Sequence, residues 1–296
     1  MSSLFSVRNA PSSANLSEVN DMLRMIFKIF IFSFGLWALL STTLPHLFPQ
    51  VILQRELPLD LQNKSIQLLI AHPDDEVMFF GPTIIELLKP EYENNLSVTC
   101  FSTGNDQGLG PIRADELRRS LEILGVGSNF EVIDDEKNFK DSMSIEWESN
   151  KILKYVSADT DIILTFDDAG ISNHPNHISL YKAAIQSGKV VYTLKSWSFI
   201  EKYSSMLYTN VRLLIDLIEL AVRINFEQDS WYQDLKQKFS NLWTVSGNIN
   251  IYTDLPGSVL VVSAMVNGHK SQMVWFRYGW LLTSRYLNAN ELVRIQ

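Results

Sequence analysis

An α/β fold, a single domain with a mostly parallel sheet flanked by helices and preceded by one transmembrane helix, is predicted by three features of the chain. From Lys64 onward strand-like and helix-like runs alternate, as repeated βαβ units require. The metal-competent stretch Ala71-His72-Pro73-Asp74-Asp75-Glu76 stands where the first strand gives way to a helix, the edge at which open α/β sheets bind ligands. Ahead of both lies Met25 to Phe48, nearly apolar all round, with Lys28 its only charge.

The elements follow in order. Residues 1–24 are Ser/Asn-rich and aperiodic and read as a disordered tail. Residues 25–48 read as a membrane anchor, since at a rise of about 1.5 Å per residue they can cross a bilayer. A cleaved signal peptide is disfavoured by the long polar region before the run and by the lack of an Ala-x-Ala site; a core helix would be striped. Arg8, Arg24 and Lys28 on one side against Arg55 and Lys64 on the other lean toward a cytosolic N-terminus. Asn15, Asn63 and Asn95 each begin a glycosylation sequon.

The domain spans 60–296, without internal repeat or splitting linker. Ile66 to Ala71, Ser97 to Ser102, Asn129 to Ile133, Asp161 to Phe166, Lys189 to Leu194 and Ser258 to Val266 read as strands. Helices are expected over Glu76 to Leu88 (interrupted by Gly81-Pro82), Arg113 to Leu124 (stopped by Gly125), Trp147 to Val156, His177 to Gln186 and Phe276 to Leu287. Together these make a Rossmann-like arrangement. Val211 to Phe226 is a further apolar helix carrying Arg212, Asp216, Glu219 and Arg223; it either packs on the core or lies on the membrane, and 200–250 is a candidate membrane-contacting insertion.

Composition excludes several functions. The chain has 296 residues, a net charge of -8 and no basic patch of the kind that binds nucleic acid. Its one cysteine, Cys100, cannot form an intrachain disulfide and reads as a small core residue. Ser, Cys and Lys nucleophile arrangements are absent, and Gly108-Leu109-Gly110 lacks the third glycine of a dinucleotide fingerprint.

The chemistry concentrates in two clusters. His72, Asp74 and Asp75 form the first, and His174-Pro175-Asn176-His177 the second; three of the chain's five histidines lie in these two segments. Either aspartate alone could be a helix cap, but His72 has no capping role. Two histidines and a carboxylate with a fourth position open are the ligand set of a catalytic zinc site. Pro175 suits a first helical turn, and His174 and His177, three apart, share a helix face.

These residues resemble the PIG-L/LmbE-like zinc deacetylases. The resemblance runs from Lys64 to Asn288 and includes Ser102-Thr103-Gly104-Asn105, Arg113-Ala114-Asp115-Glu116-Leu117 and Thr165-Phe166-Asp167-Asp168-Ala169-Gly170. The tail Gly268-His269-Lys270-Ser271-Gln272, then Trp275-Phe276-Arg277, is similar to the eukaryotic branch acting on N-acetylglucosaminyl-phosphatidylinositol in GPI-anchor synthesis.

The resemblance implies hydrolysis of the N-acetyl group to glucosaminyl-phosphatidylinositol and acetate, with Zn2+ or another divalent metal held by His72, Asp75 and His177. Asp74 would be the general base and His174 the oxyanion stabiliser or acid. Asp167, Asp168 and Asn176 would support His174 from behind; bacterial relatives often carry Asp at the position of Asn176, which leaves the charge of His174 open. Arg113 and Glu116 would lie near the sugar, unless they are a surface i, i+3 ion pair. His269, Lys270 and Arg277, with Arg285, would suit a phosphodiester, unless they are merely solvated. The resemblance also implies a single-pass protein of the endoplasmic reticulum membrane whose domain faces the cytosol, opposite to the lean of the charges. Its partner is a glycolipid in the membrane; other GPI-synthesis enzymes are not readable. The rival readings are a deacetylase of another N-acetylglucosamine conjugate, which the anchor disfavours, and a non-catalytic glycolipid-binding membrane module, which both metal clusters disfavour.

Overall fold

The computed structural model describes residues 13–47, 57–226, 229 and 248–296. Seven strands, β1 (Ser65–Ile70), β2 (Asn95–Cys100), β3 (Phe130–Val132), β4 (Ile162–Phe166), β5 (Val190–Leu194), β6 (Asn248–Tyr252) and β7 (Ala289–Arg294), form one sheet. Their order is β3-β2-β1-β4-β5-β7-β6. The first five run parallel, and β7 and β6 close one edge antiparallel. Ile66 pairs with Leu96 on one side and Ile162 on the other, so β1 is central. Helices cover both faces, which is why β1 and β4 are buried along nearly their whole length rather than at alternate residues. The chain reverses its winding between β1 and β4, and His72 to Glu76 follow directly on β1 at that switch point.

Three helices differ from expectation. Helix α1 (Ser13–Ala38) starts well before the apolar run, so residues 13–24, read above as part of a disordered tail, are helical; residues 1–12 lie outside the described residues. It continues through Leu39–Thr43 to Leu47. Among the described residues, Ser17–Leu47 is the one helix long and apolar enough to cross a membrane, with a mean hydropathy of 1.8. The expected Trp147 to Val156 helix shrinks to Ser149–Ile152 and one tighter turn, Leu153–Tyr155.

The order continues with α2 (Gly110–Leu124), α3 (Pro175–Ala184), α4 (Met206–Phe226), α5 (Leu255–Ser263) and α6 (Trp275–Thr283). Helix α5 replaces the strand expected over Ser258 to Val266. A short run apolar on every side has no period to separate strand from helix, and Asp254 starts a helix by accepting the Gly257 amide at 2.8 Å. Strands β6 and β7 were not anticipated. Helix α4 packs one side on the N-terminal segment and leaves the other exposed. Leu213 packs with Trp37 and Leu40 of the N-terminal segment, and the Asn210 amide donates to Ser33 O at 2.9 Å and Ser33 Oγ at 3.1 Å. Its other side exposes Leu207, Val211, Leu214 and Ile218 at helical spacing. Trp231 and Trp243, in the candidate insertion, lie outside the described residues.

Candidate active site

Asp74 is the strained point of the turn after β1. Its φ is +115°, a region non-glycine residues rarely enter. The Glu76 carboxylate accepts the Asp74 amide at 3.0 Å and holds it there. Glu76 is wholly buried, and its other oxygen accepts Ser120 Oγ and His269 Nε2, each at 2.5 Å. Asp75 Oδ2 accepts the amides of Ala71 and His72 at 3.0 and 2.9 Å, so its carboxylate folds back over the end of β1.

Three buried side chains converge on that oxygen's surroundings. His72 Nδ1 lies 3.7 Å and His177 Nε2 3.4 Å from Asp75 Oδ2. Each histidine is aimed from behind. His177 Nδ1 lies 3.1 Å from Gly170 O, and His72 Nε2 is 3.1 Å from Asn176 Oδ1 and 3.2 Å from Asp141 Oδ1. Oriented histidines with the opposite nitrogen left for a cation are the pattern of metal sites. Phe166 stacks flat on His177 at 3.8 Å and fixes its plane. A second grouping, His72, Asp141 and His174, also has donor atoms close enough for a metal.

The charges fit this geometry. Burial opposes ionisation of Asp75, but His177 and His72 beside it outweigh burial and hold its carboxyl well below the usual range. Burial raises Asp74, against the pull of Arg277 and Arg113. Burial would lower His72, but Asp141, Asp75 and Asn176 together raise it. Burial, with His177 and His72 nearby, pushes His174 down to about 4 against the weaker pull of Asp75 and Asp141. His174 Nδ1 accepts the Asn176 amide at 3.3 Å, which leaves Nε2 free to act as a donor.

The remaining predicted residues divide. Asn176 bridges His72 and the amide of Ser142. Asp167 does not touch His174; it accepts the amides of Ala169, Gly170 and Ser196 and so shapes the turn whose Gly170 carbonyl orients His177. Asp168 is exposed and supports neither histidine. Arg113 reaches the site. It donates to Gly104 O at 2.9 Å and Pro73 O at 2.6 Å, with Nη2 3.6 Å from Asp74 Oδ1. A Cβ on Gly104 would sit 2.2 Å from Arg113 Nη1, so only glycine leaves room for that guanidinium.

Glu116 neither pairs with Arg113 nor faces the site. Both its oxygens are taken by Ser271, through the amide and hydroxyl at 2.6 Å each. His269 is likewise no surface ligand for a phosphodiester: it is wholly buried on Glu76, because Gly268 lets the chain pack directly on Ser120. Lys270 is exposed. Arg285 is buried, stacked 3.8 Å over Trp197 and 4.3 Å over Tyr208. Arg277 does reach in, with Nη2 2.8 Å from Asp74 Oδ2 and Nη1 on the Met78 sulfur. Asp141 was missed, and no sequence signal could have found it, since it sits in an irregular loop and meets His72 only through the fold.

The family model described as PIG-L, GlcNAc-PI de-N-acetylase, matches residues 67–187. The N-acetylglucosaminyl-phosphatidylinositol de-N-acetylase of Arthroderma benhamiae is 32% identical over 327 residues, covering 90% of this chain and 95% of its own. The probable enzyme of that name in Schizosaccharomyces pombe is 34% identical over 242 residues, covering 78% of this chain and 87% of its own. Among solved structures, the N,N'-diacetylchitobiose deacetylase of Pyrococcus horikoshii aligns over 84% of this chain and 92% of its own, with a TM-score of 0.40 and 16% identity.

Proposed function

The chain belongs to the PIG-L family of N-acetylglucosaminyl-phosphatidylinositol de-N-acetylases, and from that premise we propose how its residues hydrolyse the N-acetyl group of the glycolipid. The observation that carries the proposal is the convergence of His72 Nδ1, Asp75 Oδ2 and His177 Nε2, in which the buried His177 Nε2 has no hydrogen-bond partner among the described residues. An orphaned buried nitrogen facing a carboxylate and a second imidazole fits a divalent cation, and the mixed nitrogen and oxygen donors suit zinc. A zinc ion bound there supplies Lewis acidity to the amide carbonyl and to the attacking water, whose pKa falls to about 7.

The chain's own residues move the protons. Asp74, beside the ligand Asp75 and clamped by Arg277, accepts the water proton as the new C–O bond forms. It then returns that proton to the nitrogen as the C–N bond breaks, so glucosaminyl-phosphatidylinositol leaves as an amine and the acetyl group as acetic acid, whose remaining proton passes to solvent to give acetate. The Nε2–H of His174 donates to the carbonyl oxygen as charge gathers on it. Arg113 anchors the turn through Pro73 O and offsets charge on Asp74.

The α1 segment tethers this site to the bilayer that holds the substrate. We assign it to the endoplasmic reticulum, with the domain on the cytosolic side alongside other enzymes of the pathway. Metal analysis of the purified chain, followed by deacetylation of the glycolipid before and after chelation, tests the catalytic reading. About one divalent metal per chain and activity restored by zinc are expected; full activity without metal would overturn it. Sequon mapping in intact microsomes tests orientation, and glycan on Asn63 or Asn95 would place the domain in the lumen.

A further inference from the structure

Beside the catalytic turn lies a pocket of about 370 Å³ whose walls carry Met78 and Phe79 from the turn's end, Ser172, Lys202, Phe276 and Arg277. Lys202 is only 8% exposed. Its ammonium donates to Ser172 Oγ at 2.6 Å and to Ile171 O at 3.5 Å, both neutral acceptors. Among the described residues it makes no ion pair, and burial alone lowers its pKa, with no carboxylate pulling the other way. A buried lysine is ordinarily paired, because an uncompensated charge away from water is costly. Arg277 faces the same pocket; it bonds Asp74 through Nη2, while its buried Nε has no hydrogen-bond partner among the described residues.

The rim carries a second signal. Phe199 and Ile200, just before Lys202, are 77% and 80% exposed, and Trp275, just before Arg277, is 85% exposed. Both segments that bring a cation into the pocket thus carry large apolar side chains at their outer ends, which suits insertion at a lipid interface.

We propose that this pocket is an anion subsite in which Lys202, with Arg277, binds the phosphodiester of a glycolipid headgroup while the acyl chains stay in the bilayer. The proposal rests on the catalytic reading above only for the identity of the sugar. Arg277, which lines the pocket and bonds Asp74, puts this subsite next to the sugar's reacting end. The pocket then selects substrates carrying a phosphodiester over the same sugar without one.

The test is binding, read by calorimetry on the full chain in detergent, so a failure of the catalytic reading leaves it intact. Glycerophosphoinositol, myo-inositol and inorganic phosphate are titrated separately. Wild type should bind glycerophosphoinositol at least about tenfold more tightly than either other probe, and Lys202→Gln should lose about tenfold or more, as expected for one charge-assisted contact. Lys202→Arg should recover most of the loss. Unchanged binding by a folded Lys202→Gln protein would overturn the proposal. Inorganic phosphate binding as tightly as glycerophosphoinositol would make this a free-phosphate site and overturn the headgroup assignment. A measurement on wild type alone covers the case in which the variant does not fold: glycerophosphoinositol should slow amine acetylation of Lys202, read by mass spectrometry, and no protection would equally refute the subsite.

Discussion

The parallel half of the sheet and the C-terminal half are built to opposite rules. Strands β1 and β4 are buried along nearly their whole length, and the segments that follow them bring His72, Asp75 and His177 together. The C-terminal half keeps much of its apolar surface outside: Val259, Leu260 and Val262 on α5, and Trp275, Phe276, Tyr278 and Leu282 on α6, are exposed. That half is also where the N-terminal segment docks, through Asn210 on Ser33 and the Leu255 amide on Thr42 Oγ1 at 2.9 Å. Exposed apolar area on this scale marks an interaction surface, and the helix attached to it is, among the described residues, the one long and apolar enough to span a bilayer. The two halves meet at Asp74, whose amide is held by Glu76 and whose carboxylate is held by Arg277 from α6.

The largest effect is expected where the halves meet. Asp74→Asn should leave metal content unchanged and cut turnover by roughly 10² to 10⁴-fold, the range for a lost general base. Near-normal turnover in a metal-loaded variant would reduce Asp74 to a helix cap. His269→Ala should separate architecture from chemistry, because it takes the imidazole from the buried Glu76 carboxylate and leaves it only Ser120 Oγ and the Asp74 amide. A loss of about 3 kcal/mol is expected, seen as a fall in the thermal midpoint of several degrees. Unchanged melting would show that the Glu76 link between the halves contributes nothing. Asp141→Asn should weaken metal affinity by roughly 10- to 100-fold, the usual effect of losing the group behind a ligating histidine. Equal affinity would mean that Asn176 alone orients His72.

The same contrast explains how much could be read in advance. The parallel core was legible because its strands are short runs rich in β-branched and aliphatic residues, and the two histidine clusters because each is contiguous in the chain. The C-terminal half was harder for physical reasons. Leu255 to Ser263 is apolar on all sides, so its cap at Asp254, not its period, decides for helix. Strand β6 does alternate, Asn248-Ile249-Asn250-Ile251-Tyr252, but is short and pairs only with the last strand of the chain. His269 looks like a phosphate ligand by type and is a buried partner of Glu76 by contact, a pairing across 193 positions. Lys202 sits in a turn that signals only a capping box, Ser198 with Glu201. Local pattern reports local structure; the groups that complete this site are brought in from far along the chain.

The smallest effect expected is on the outer face. If the exposed rim rests in the bilayer, Trp275→Ser and Phe199→Ser should each weaken association of the protein, once α1 is removed, with phosphatidylinositol-containing vesicles. Losing one partly embedded interfacial aromatic removes about 0.7 to 1.4 kcal/mol of apolar burial, so a shift of roughly three- to tenfold in partitioning is expected. Neither side chain touches the metal ligands or Asp74, so hydrolysis of a short-chain soluble analogue should be spared while hydrolysis of substrate in vesicles falls by a similar factor. Removing α1 also uncovers Leu213, which packs with Trp37 and Leu40. The paired comparison is therefore made in the full chain as well, where the anchor should mask the partitioning change but not the loss of turnover on vesicle substrate. Equal turnover by all three proteins on vesicles would mean that the anchor alone brings the site to its lipid. The exposed aromatics of α6 would then need another partner.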